Sequence, residues 1–550
     1  MGVTERMNPW VTRVSVETAA GAGIDALLDA LAEGGPRSRA APWAWSGATG
    51  VGAVRGGCLG GAVGDAEALL QQVVDAVDPG RACGLVVGTT SGAIAEFEGR
   101  FPERRAHVYR QQPTRRVAAR CAQRWGDETM PLATVSVACA SGAAAFDVAR
   151  GWLRSGRCER VIVAGVDVLS PFIHAGFAGI GALAAGESRP FTRGRDGLMI
   201  GEGAAAVLLE TPGSALRAGR SPLCALWGTG LSQDAVHLTA PDRSGGGLYR
   251  AAVAALGDAG IDPALVPDAV DLVSGHATGT LFNDAMEAKA LSRLFGGRPV
   301  PVHALKPIIG HTLGAAGTIE AVALIGMLAG GPMPGALEVD PELGMVGGPG
   351  RRGGGFGLSV NAAFGGVNTA LVFGPVQPDP SPGAVRATLA PGGWTEEAVV
   401  EGEQFPVAAL PRQLDGSAAV NLGRADTYVR AGIVALAHIG ARPDEAVVLS
   451  SEENCAQADW RYLDVLRQNG PERAPRVHFV YTIPGAPLAE AAILLGLTGP
   501  GLVFCDGRGT AEFEARRLVD EGRAASAIAL VVDAPAAGVA RATARRYGPR

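Results

Sequence analysis

The sequence predicts a layered α/β protein with mainly buried sheets. Short apolar runs that end in glycine, such as residues 82–88 and 160–165, have the length and composition of buried strands. Longer segments between them, such as residues 143–153 and 248–259, carry the apolar spacing of helices. Strands that alternate with helices are typical of sheets covered by helices on their faces.

The bulk composition argues against several classes of protein. The chain has 550 residues, which is too long for one hydrophobic core and predicts roughly two to four domains. The net charge of −6 and the absence of a basic block argue against nucleic acid as the main partner, although an acidic protein partner would need only a local basic patch. Residues 1–13 lack the apolar core of a secretory signal. The most apolar tract, residues 318–331, contains Glu320 and is too short for a membrane span, so it predicts a buried helix.

The eight cysteines show no paired spacing. Without a CxxC motif they indicate neither a zinc site nor a disulfide framework. Free thiols are the rule in a reducing compartment, so we expect a cytoplasmic protein.

One of these cysteines, Cys139, lies where a strand meets a helix. The β-branched segment 134–137 predicts the strand, and the small residues 140–145 predict the start of the helix. A thiol at a helix N-terminus is close to free backbone N–H groups and to the positive end of the helix dipole, which lower its pKa. Cys139 is therefore a candidate nucleophile, and the alternative is a buried cysteine that acts as a small apolar side chain.

Two histidines lie in loops that are rich in glycine and threonine. His276 belongs to a Gly-His-Ala-Thr-Gly-Thr segment that includes Thr278 and Thr280, and His311 follows Lys306 by five residues. A neutral imidazole can donate its N–H to a thioester carbonyl and stabilise an enolate, or it can activate a thiol. Two histidines and a cysteine could instead bind zinc, but no fourth ligand is evident, and we expect neither a metal nor another cofactor.

Further residues could complete this group. Lys306 lies in a segment with almost no other charge, which favours an interior role in which it orients Glu287 or a histidine. Asp284 and Glu287 follow the first histidine at helical spacing and could serve the same network or lie on a solvated helix face. Residues 361–368 predict a turn whose free backbone N–H groups could bind an anion, with Phe364 as its large side chain.

Together these motifs resemble the β-ketoacyl-acyl-carrier-protein synthase family, which has the thiolase fold. Five motifs occur in the order found in that family. They are the Ala-Cys-x-Ser-Gly elbow at Cys139, the segment 190–204, the His276 loop, the segment 306–317 and the Phe-Gly-Gly turn at 364–366. The resemblance covers about residues 10–375, and it implies an αβαβα stack of two similar halves, residues 1–212 and 213–375, each built around a five-stranded sheet.

The resemblance also implies an acyltransferase activity. The family condenses an acyl thioester on a cysteine with malonyl-acyl-carrier protein and releases carbon dioxide, in fatty-acid or in polyketide or polyene biosynthesis. Cys139 would carry the acyl chain, and His276 and His311 would promote decarboxylation with the support of Lys306 and Glu287. The further supporting candidates are Asp284, Thr278 and Thr280.

The same resemblance implies a gate, an oxyanion hole and two partners. Phe364 would gate the acyl pocket, and its backbone N–H would form the oxyanion hole with that of Cys139. The expected partners are an acyl carrier protein, whose phosphopantetheine holds the acyl and malonyl groups, and a related subunit in a homodimer or a heterodimer.

The chain departs from the family pattern in three places. The segment between residues 88 and 134 is short and rich in arginine, in the region expected to shape the acyl pocket and the dimer contact; its arginines include Arg100, Arg104, Arg105, Arg110, Arg115, Arg116 and Arg120. The Phe-Gly-Gly turn is one residue shorter than usual. Ala277 stands where glycine is common, which we expect to be a small change.

The last part of the chain resembles a truncated first half of the same family. A linker rich in proline and glycine, residues 376–394, precedes this tail of residues 395–550. Segments of the tail match the first half at an offset of 366 residues, which carries Cys139 onto Cys505. We expect Cys505 to be non-catalytic because it has no histidine partners nearby, and we expect the half-fold to expose an apolar sheet face that packs on another surface. The tail is thus predicted to be an interaction module similar to a chain-length factor.

Three other functions remain open at this stage. A thiolase acting on coenzyme A thioesters normally needs a second cysteine as an acid, and residues 300–375 contain none. A non-elongating partner similar to a chain-length factor would lack the elbow cysteine, which is present here as Cys139. A decarboxylating or initiating role would use the same histidines and lysine.

Overall fold

The structure, a computed structural model, describes most of the chain. The described residues are 7–37, 39–40, 55–56, 65–81, 83–99, 110–376, 393–403, 425–452, 455–470, 476–536 and 539–548. The predicted linker at 376–394 lies outside them except at its two ends, as do Arg100, Arg104 and Arg105 of the arginine-rich segment.

Strands and helices alternate along the described chain, as the sequence predicts. The strands are β1 (Trp10–Thr18), β2 (Gly21–Ala22), β3 (Arg39–Ala40), β4 (Arg55–Gly56), β5 (Gly84–Gly88), β6 (Leu132–Val135), β7 (Arg160–Asp167), β8 (Gly203–Glu210), β9 (Cys224–Gln233), β10 (Val270–Ser274), β11 (Val302–His303), β12 (Phe356–Ala362), β13 (Val367–Gly374), β14 (Gly393–Glu403), β15 (Ala446–Ser450), β16 (Gly501–Phe504), β17 (Ala527–Ala536) and β18 (Val539–Gly548). The helices are α1 (Ile24–Glu33), α2 (Ala66–Ala76), α3 (Ile94–Gly99), α4 (Gln112–Trp125), α5 (Ser141–Arg154), α6 (Pro171–Gly179), α7 (Pro212–Arg217), α8 (Gly246–Asp258), α9 (Val266–Ala269), α10 (Leu281–Leu294), α11 (Lys306–Ile309), α12 (Ala316–Leu328), α13 (Thr427–His438), α14 (Ala456–Asn469), α15 (Arg476–Phe479), α16 (Ala486–Leu495) and α17 (Arg508–Asp520).

One continuous sheet contains the same five-strand pattern three times. Its order is β11-β10-β12-β13-β9-β1-β8-β7-β5-β6-β16-β15-β17-β18-β14, with β2 beside β1. In each five-strand unit the first strand pairs antiparallel with the fifth, the fifth antiparallel with the fourth, the fourth parallel with the second, and the second parallel with the third. We call β1 and β5–β8 the first unit, β9–β13 the second unit and β14–β18 the third unit. The prediction of two similar halves followed by an additional α/β half-domain is confirmed.

Helices α5 and α12 lie face to face between the first and second units. Glycines allow this close approach, because a Cβ on Gly142 would lie 2.8 Å from the backbone N of Thr318, and one on Gly317 would lie 2.6 Å from that of Ala143. Helix α12 is buried along nearly its whole length, as its apolar sequence predicts. Helices α2 and α4 cover the outer face of the first unit, and α8 and α10 cover that of the second. The predicted αβαβα layering is therefore present.

The third unit packs on the first unit of the same chain. Strands β6 and β16 pair antiparallel where Val135 faces Phe504. The backbone N–H of Ser136 donates to the Val503 carbonyl at 2.9 Å, and that of Cys505 donates to the Thr134 carbonyl at 2.9 Å. The edge of the first unit is thus occupied by the tail of the same molecule.

A balanced group of buried charges joins α17 to α5. Arg517 contacts Asp147 at 2.7 Å and Glu514 at 2.6 Å, and Arg523 contacts Asp147 at 2.8 Å. Although burial raises the pKa of Asp147, Arg523 and Arg517 together hold it well below its ordinary value. Gly151 makes room for this contact, because a Cβ there would lie 2.2 Å from the Cδ of Arg517. Arg110 makes a second buried bridge from the first unit to Asp459 of α14 at 3.2 Å.

Two expectations about the tail need correction. Cys505 follows β16 directly and takes part in strand pairing, whereas Cys139 comes four residues after the end of β6, so the two cysteines are not structurally equivalent. The exposed part of the third unit's sheet is also not apolar. On β14 and β18, Glu397 pairs with Arg545 and Glu401 with Arg541, on either side of the half-exposed Val399. Charged cross-strand pairs thus take the place of an apolar face.

Candidate active site

Cys139 lies at a strained turn between β6 and α5. A short 3₁₀ turn spans Ala138–Ala140, and Ala138 has a φ of +48°, which is unfavourable for a residue with a Cβ. The hydroxyl of Ser141 donates to the Ala138 carbonyl at 2.5 Å and accepts from the Val137 N–H at 3.0 Å. These bonds hold the predicted elbow in place.

The structure brings most of the predicted site residues to one cavity. This cavity has a volume of about 330 Å³ and is lined by Cys139, His276, His311, Thr278, Thr280 and Phe364, among others. The two imidazole rings lie nearly perpendicular, at 87°, with their centroids 5.4 Å apart. The remaining predicted residues, Lys306, Asp284 and Glu287, are buried behind this lining.

The hydrogen bonds of His276 determine which ring nitrogen carries its proton. Its Nδ1 lies 3.3 Å from the ammonium of Lys306 and 3.4 Å from the amide nitrogen of Asn361. Both neighbours are hydrogen donors, so Nδ1 accepts and the proton of the neutral ring lies on Nε2.

Lys306 pairs with Glu320, a residue outside the predicted site. The two side chains form a buried ion pair, and the amide of Asn361 also donates to Glu320 at 2.6 Å. The interpretation that Lys306 contacts a histidine agrees with this geometry, but Glu287 makes no hydrogen bond to Lys306 in the described structure. The signal for Glu320 was present, because it is the lone acid in an otherwise apolar helix. Asn361 was treated only as part of a turn.

Glu287 and Asp284 hold the His276 loop through its backbone. The carboxylate of Glu287 accepts from the N–H groups of His276 at 2.6 Å and Ala277 at 2.8 Å. Asp284 accepts from the N–H groups of Phe191 at 2.7 Å and Gly279 at 3.1 Å. Both acids are fully buried, so the alternative of a solvated helix face is wrong.

The alanine after His276 is a larger departure than expected. Ala277 has a φ of +43°, a conformation that favours glycine. The two backbone bonds to Glu287 hold it there. The expectation that alanine at this position is a small change is therefore wrong in conformational terms.

The loop that carries His311 is anchored to the first unit. The N–H of His311 donates to the Met199 carbonyl at 2.6 Å, and the N–H of Gly314 donates to Asp167 at 2.7 Å. Asp167 also accepts from the N–H groups of Thr90 and Ser91, both at 2.8 Å, so one buried carboxylate ties together loops from two units.

Burial controls the protonation of the three reactive groups. It lowers the pKa values of His276 and His311 well below their ordinary value, and Lys306 lowers both further. Both rings are therefore neutral at neutral pH. Burial raises the pKa of the Cys139 thiol to about 12, which outweighs the lowering by Lys306 and by the backbone N–H of Phe364. The expectation that the elbow lowers this pKa is therefore wrong, because desolvation dominates.

The turn after β12 leaves one N–H directed at the sulfur. The N–H groups of Ala363, Gly365 and Gly366 donate to backbone carbonyls within 3.1 Å. The N–H groups of Phe364 and of Cys139 itself point at the Cys139 thiol. The prediction of a turn with several free N–H groups is thus corrected to a single one, that of Phe364.

An aromatic side chain near the third unit, Phe479, packs behind Phe177, which lines the cavity. Phe364 stacks on Phe177 at 5.6 Å, and Phe479 of α15 meets Phe177 edge-on at the same centroid distance. A Cβ on Gly176 would lie 2.0 Å from the Phe479 ring, so only glycine leaves room for it. Behind Phe364 lies a cavity of about 10 Å³, whose lining includes Ile483 and other residues of the third unit.

Metals, disulfides and membrane spans can be assessed for the described residues. Among them, no group of three or more His, Cys, Asp or Glu side chains is arranged to hold a metal ion. The seven cysteines in the described part of the chain are free. No helix within the described ranges combines the length and apolarity needed to cross a membrane.

Two family models match the parts of the chain that lie on either side of this cavity. Residues 62–215 match the family model "Beta-ketoacyl synthase, N-terminal domain", and residues 223–340 match "Beta-ketoacyl synthase, C-terminal domain". The 3-oxoacyl-[acyl-carrier-protein] synthase 2 of Mycobacterium bovis is 35% identical in an alignment of 253 residues that covers 43% of this chain and 59% of that protein. A 3-oxoacyl-[acyl-carrier-protein] synthase homolog of Saccharomyces cerevisiae is 34% identical in an alignment of 263 residues that covers 44% of this chain and 58% of that protein. The chain thus spans about three fifths of the length of these curated relatives.

Solved structures extend the likeness in fold. A β-ketoacyl synthase from Burkholderia phymatum has a TM-score of 0.58 at 25% identity and covers 68% of this chain and 100% of its own. The PfaC keto synthase–chain length factor has a TM-score of 0.73 at 16% identity and covers 99% of this chain and 78% of its own, so it shares the fold of all three units. The predicted thiolase-like fold is confirmed by these neighbours. Because two synthase domains match in order on either side of the cavity that Cys139 shares with the two histidines, the chain belongs to the β-ketoacyl synthase family.

Proposed function

We propose that this protein is a β-ketoacyl-acyl-carrier-protein synthase. It would condense an acyl group held on Cys139 with malonyl-acyl-carrier protein, in fatty-acid or in polyketide or polyene biosynthesis. The observation that carries the proposal is the shared cavity, in which one thiol faces two imidazoles that burial keeps neutral.

In the loading step Cys139 accepts the acyl chain. The sulfur attacks the thioester carbonyl of an acyl-carrier protein, and the thiol proton passes to a neutral imidazole, for which His311 is the candidate. The backbone N–H groups of Cys139 and Phe364 would stabilise the oxyanion, since both are directed at the sulfur. The carrier's thiol then leaves with that proton. A thiol pKa of about 12 makes this proton transfer necessary at neutral pH.

In the condensing step the two histidines act on the malonyl thioester. The Nε2–H of His276, fixed by Lys306 and Asn361 at Nδ1, would donate to the thioester carbonyl. The bond between the α-carbon and the carboxylate breaks, and carbon dioxide leaves. The electron pair of that bond stays on the thioester and forms an enolate, which the imidazole N–H stabilises. The enolate carbon attacks the acyl group on Cys139, which forms the new carbon–carbon bond and releases the thiolate.

The third unit would act as a wall of the acyl pocket, in the manner of a chain-length factor. Phe479 and Ile483 place apolar side chains beside Phe177 and behind Phe364. The pairing of β16 with β6 supports the view that this unit stands where a related subunit is expected, so one chain supplies both members of the pair. We therefore favour a pseudo-heterodimer within the chain over a homodimer formed through this edge.

The alternatives have less support. A chain-length-factor-like partner without condensing activity would not need Cys139, whose sulfur lies in the cavity with both histidines. A thiolase on coenzyme A thioesters would need a second acidic thiol, and the described cavity lining contains Cys139 as its single cysteine. A carrier-protein partner and reduced cysteines both fit a cytoplasmic location.

The test is intact-mass analysis after incubation with acyl-carrier and malonyl-carrier protein. Wild-type protein should gain the acyl mass and release a 3-oxoacyl carrier product, and Cys139→Ala should do neither. Cys505→Ala is the matched control, and it should behave as wild type because its thiol lies in the strand contact between β16 and β6. An acylated Cys139→Ala variant would overturn the assignment.

A further inference from the structure

An exposed basic strip lies beside the entrance of the catalytic cavity. Arg243 precedes α8, and Lys289 and Arg293 lie on the exposed face of α10. Among the described residues none of the three has a carboxylate within 4 Å, whereas other exposed arginines, such as Arg116 and Arg217, are paired with acids. This local positive charge contrasts with the net charge of −6 of the whole chain.

The three cations form one surface. The ammonium of Lys289 donates to the Arg243 carbonyl at 2.9 Å. The Arg243 guanidinium lies 5.0 Å from the centre of the Phe282 ring, and that of Arg293 lies 3.7 Å from the centre of the Tyr249 ring. The exposed face of α10 carries no acid, because its acids Asp284 and Glu287 point inward and hold the His276 loop.

This strip is continuous with the route to Cys139. Leu281 and Phe282 are 55% and 56% exposed, and both line the catalytic cavity. The rim thus joins two exposed apolar side chains to a row of cations that runs along α10 away from the entrance. An apolar anchor beside unpaired charges is the arrangement expected of a protein-docking surface.

We propose that Arg243, Lys289 and Arg293, with Phe282 as the apolar anchor, are the docking surface for an acidic carrier protein that delivers its thioester through this entrance. This inference rests on the proposed function. It identifies the surface of this chain that binds the partner and adds nothing to the chemistry of the site. Charge complementarity would orient the carrier, and Phe282 would mark the point where its thioester-bearing arm enters.

The test compares three malonyl donors in the condensation assay with Lys289→Glu/Arg293→Glu, a double variant outside the catalytic cavity. The donors are malonyl-acyl-carrier protein, malonyl-pantetheine and malonyl-coenzyme A. We expect KM for the carrier protein to rise about tenfold or more at unchanged kcat, and the kinetics with malonyl-pantetheine to stay at the wild-type values. Added salt should raise KM for the carrier protein in wild type and have little effect in the variant.

Controls separate docking from changes in bulk charge or folding. Arg217→Glu/Arg541→Glu changes the net charge equally on the exposed surface of α7 and β18, and it should leave KM for the carrier near wild type. Lys289→Glu alone, whose side chain makes a single backbone contact, repeats the test if the double variant loses its wild-type circular dichroism.

The other outcomes also decide the matter. A KM for the carrier within twofold of the control would overturn the proposal. The proposal would also be overturned if the wild-type protein used malonyl-pantetheine but did not use malonyl-acyl-carrier protein. A rise in KM confined to malonyl-coenzyme A would assign the strip to a nucleotide instead. No product from any donor with wild type would refute the proposed function itself, which is a distinct result.

Discussion

Replacing Glu320 by glutamine removes the acid that neutralises Lys306. Both side chains are almost fully buried, at 2% exposure for Lys306 and 1% for Glu320. Glu287 is not placed to substitute, because its carboxylate is bonded to the His276 and Ala277 N–H groups. Removing one partner of a buried ion pair costs about 3–5 kcal/mol, because the other charge is left uncompensated. We therefore expect Glu320→Gln to lower the free energy of unfolding by about that amount at pH 7.

Urea denaturation followed by tryptophan fluorescence at pH 7 measures this loss of stability. The matched control is Lys306→Met/Glu320→Gln, which removes both charges and should recover most of the lost stability. A single variant with wild-type stability would refute the reasoning, as would a double variant no more stable than the single one. In the mass assay, Glu320→Gln should slow malonyl decarboxylation about 10²–10³-fold, because the carboxylate that positions Lys306 and Asn361 against Nδ1 of His276 is lost.

Four further outcomes follow from the described contacts. Arg517→Met should lower the free energy of unfolding by about 3–5 kcal/mol by urea denaturation, and an unchanged midpoint would show that the α5–α17 charges are not coupled. Ala277→Gly should raise the free energy of unfolding by about 0.5–1 kcal/mol, because glycine relieves the strain of the positive φ, whereas Ala145→Gly in α5 should lower the free energy of unfolding. The rate of Cys139 alkylation by iodoacetamide should still rise about tenfold per pH unit between pH 8 and 10, because burial raises its pKa to about 12, and a plateau below pH 8 would contradict this. Phe479→Ala should allow mass-detected acylation of Cys139 by longer acyl chains, whereas Phe513→Ala in α17, whose ring packs against Arg157, should not.

Much of the architecture could be predicted from local sequence patterns. The elbow at Cys139 follows from a β-branched strand that meets small residues, and α12 follows from a continuous apolar run. The Lys306–Glu320 pair could not, because the two residues lie in separate helices that only the tertiary fold brings together. The thiol pKa was misjudged for a related reason: the local dipole is visible in sequence, whereas complete burial is not.

The repeat offset aligns Cys139 with Cys505 incorrectly because the connection between strand and helix differs in length between the two units. Five residues separate β6 from α5, but three separate β16 from α17. The helices therefore match at an offset near 366 while the strands before them do not, and an ungapped comparison cannot detect the shift. The shortened connection draws Cys505 into the strand contact with Thr134.

The shorter connection in the third unit explains why the three similar units share a single group of reactive side chains. The chemistry needs a thiol beyond the end of a strand and imidazoles from a neighbouring unit: Cys139 comes from the first unit, and His276 and His311 come from the second. In the third unit Cys505 is fully buried and its backbone N–H pairs with Thr134 of β6, so its sulfur is not exposed to a substrate. What the third unit does place behind the wall of this cavity is apolar, chiefly Phe479 against Phe177. Under the proposed function its contribution is therefore to the shape of the acyl pocket, and mutations at this contact should change which chains Cys139 accepts before they change how fast it reacts.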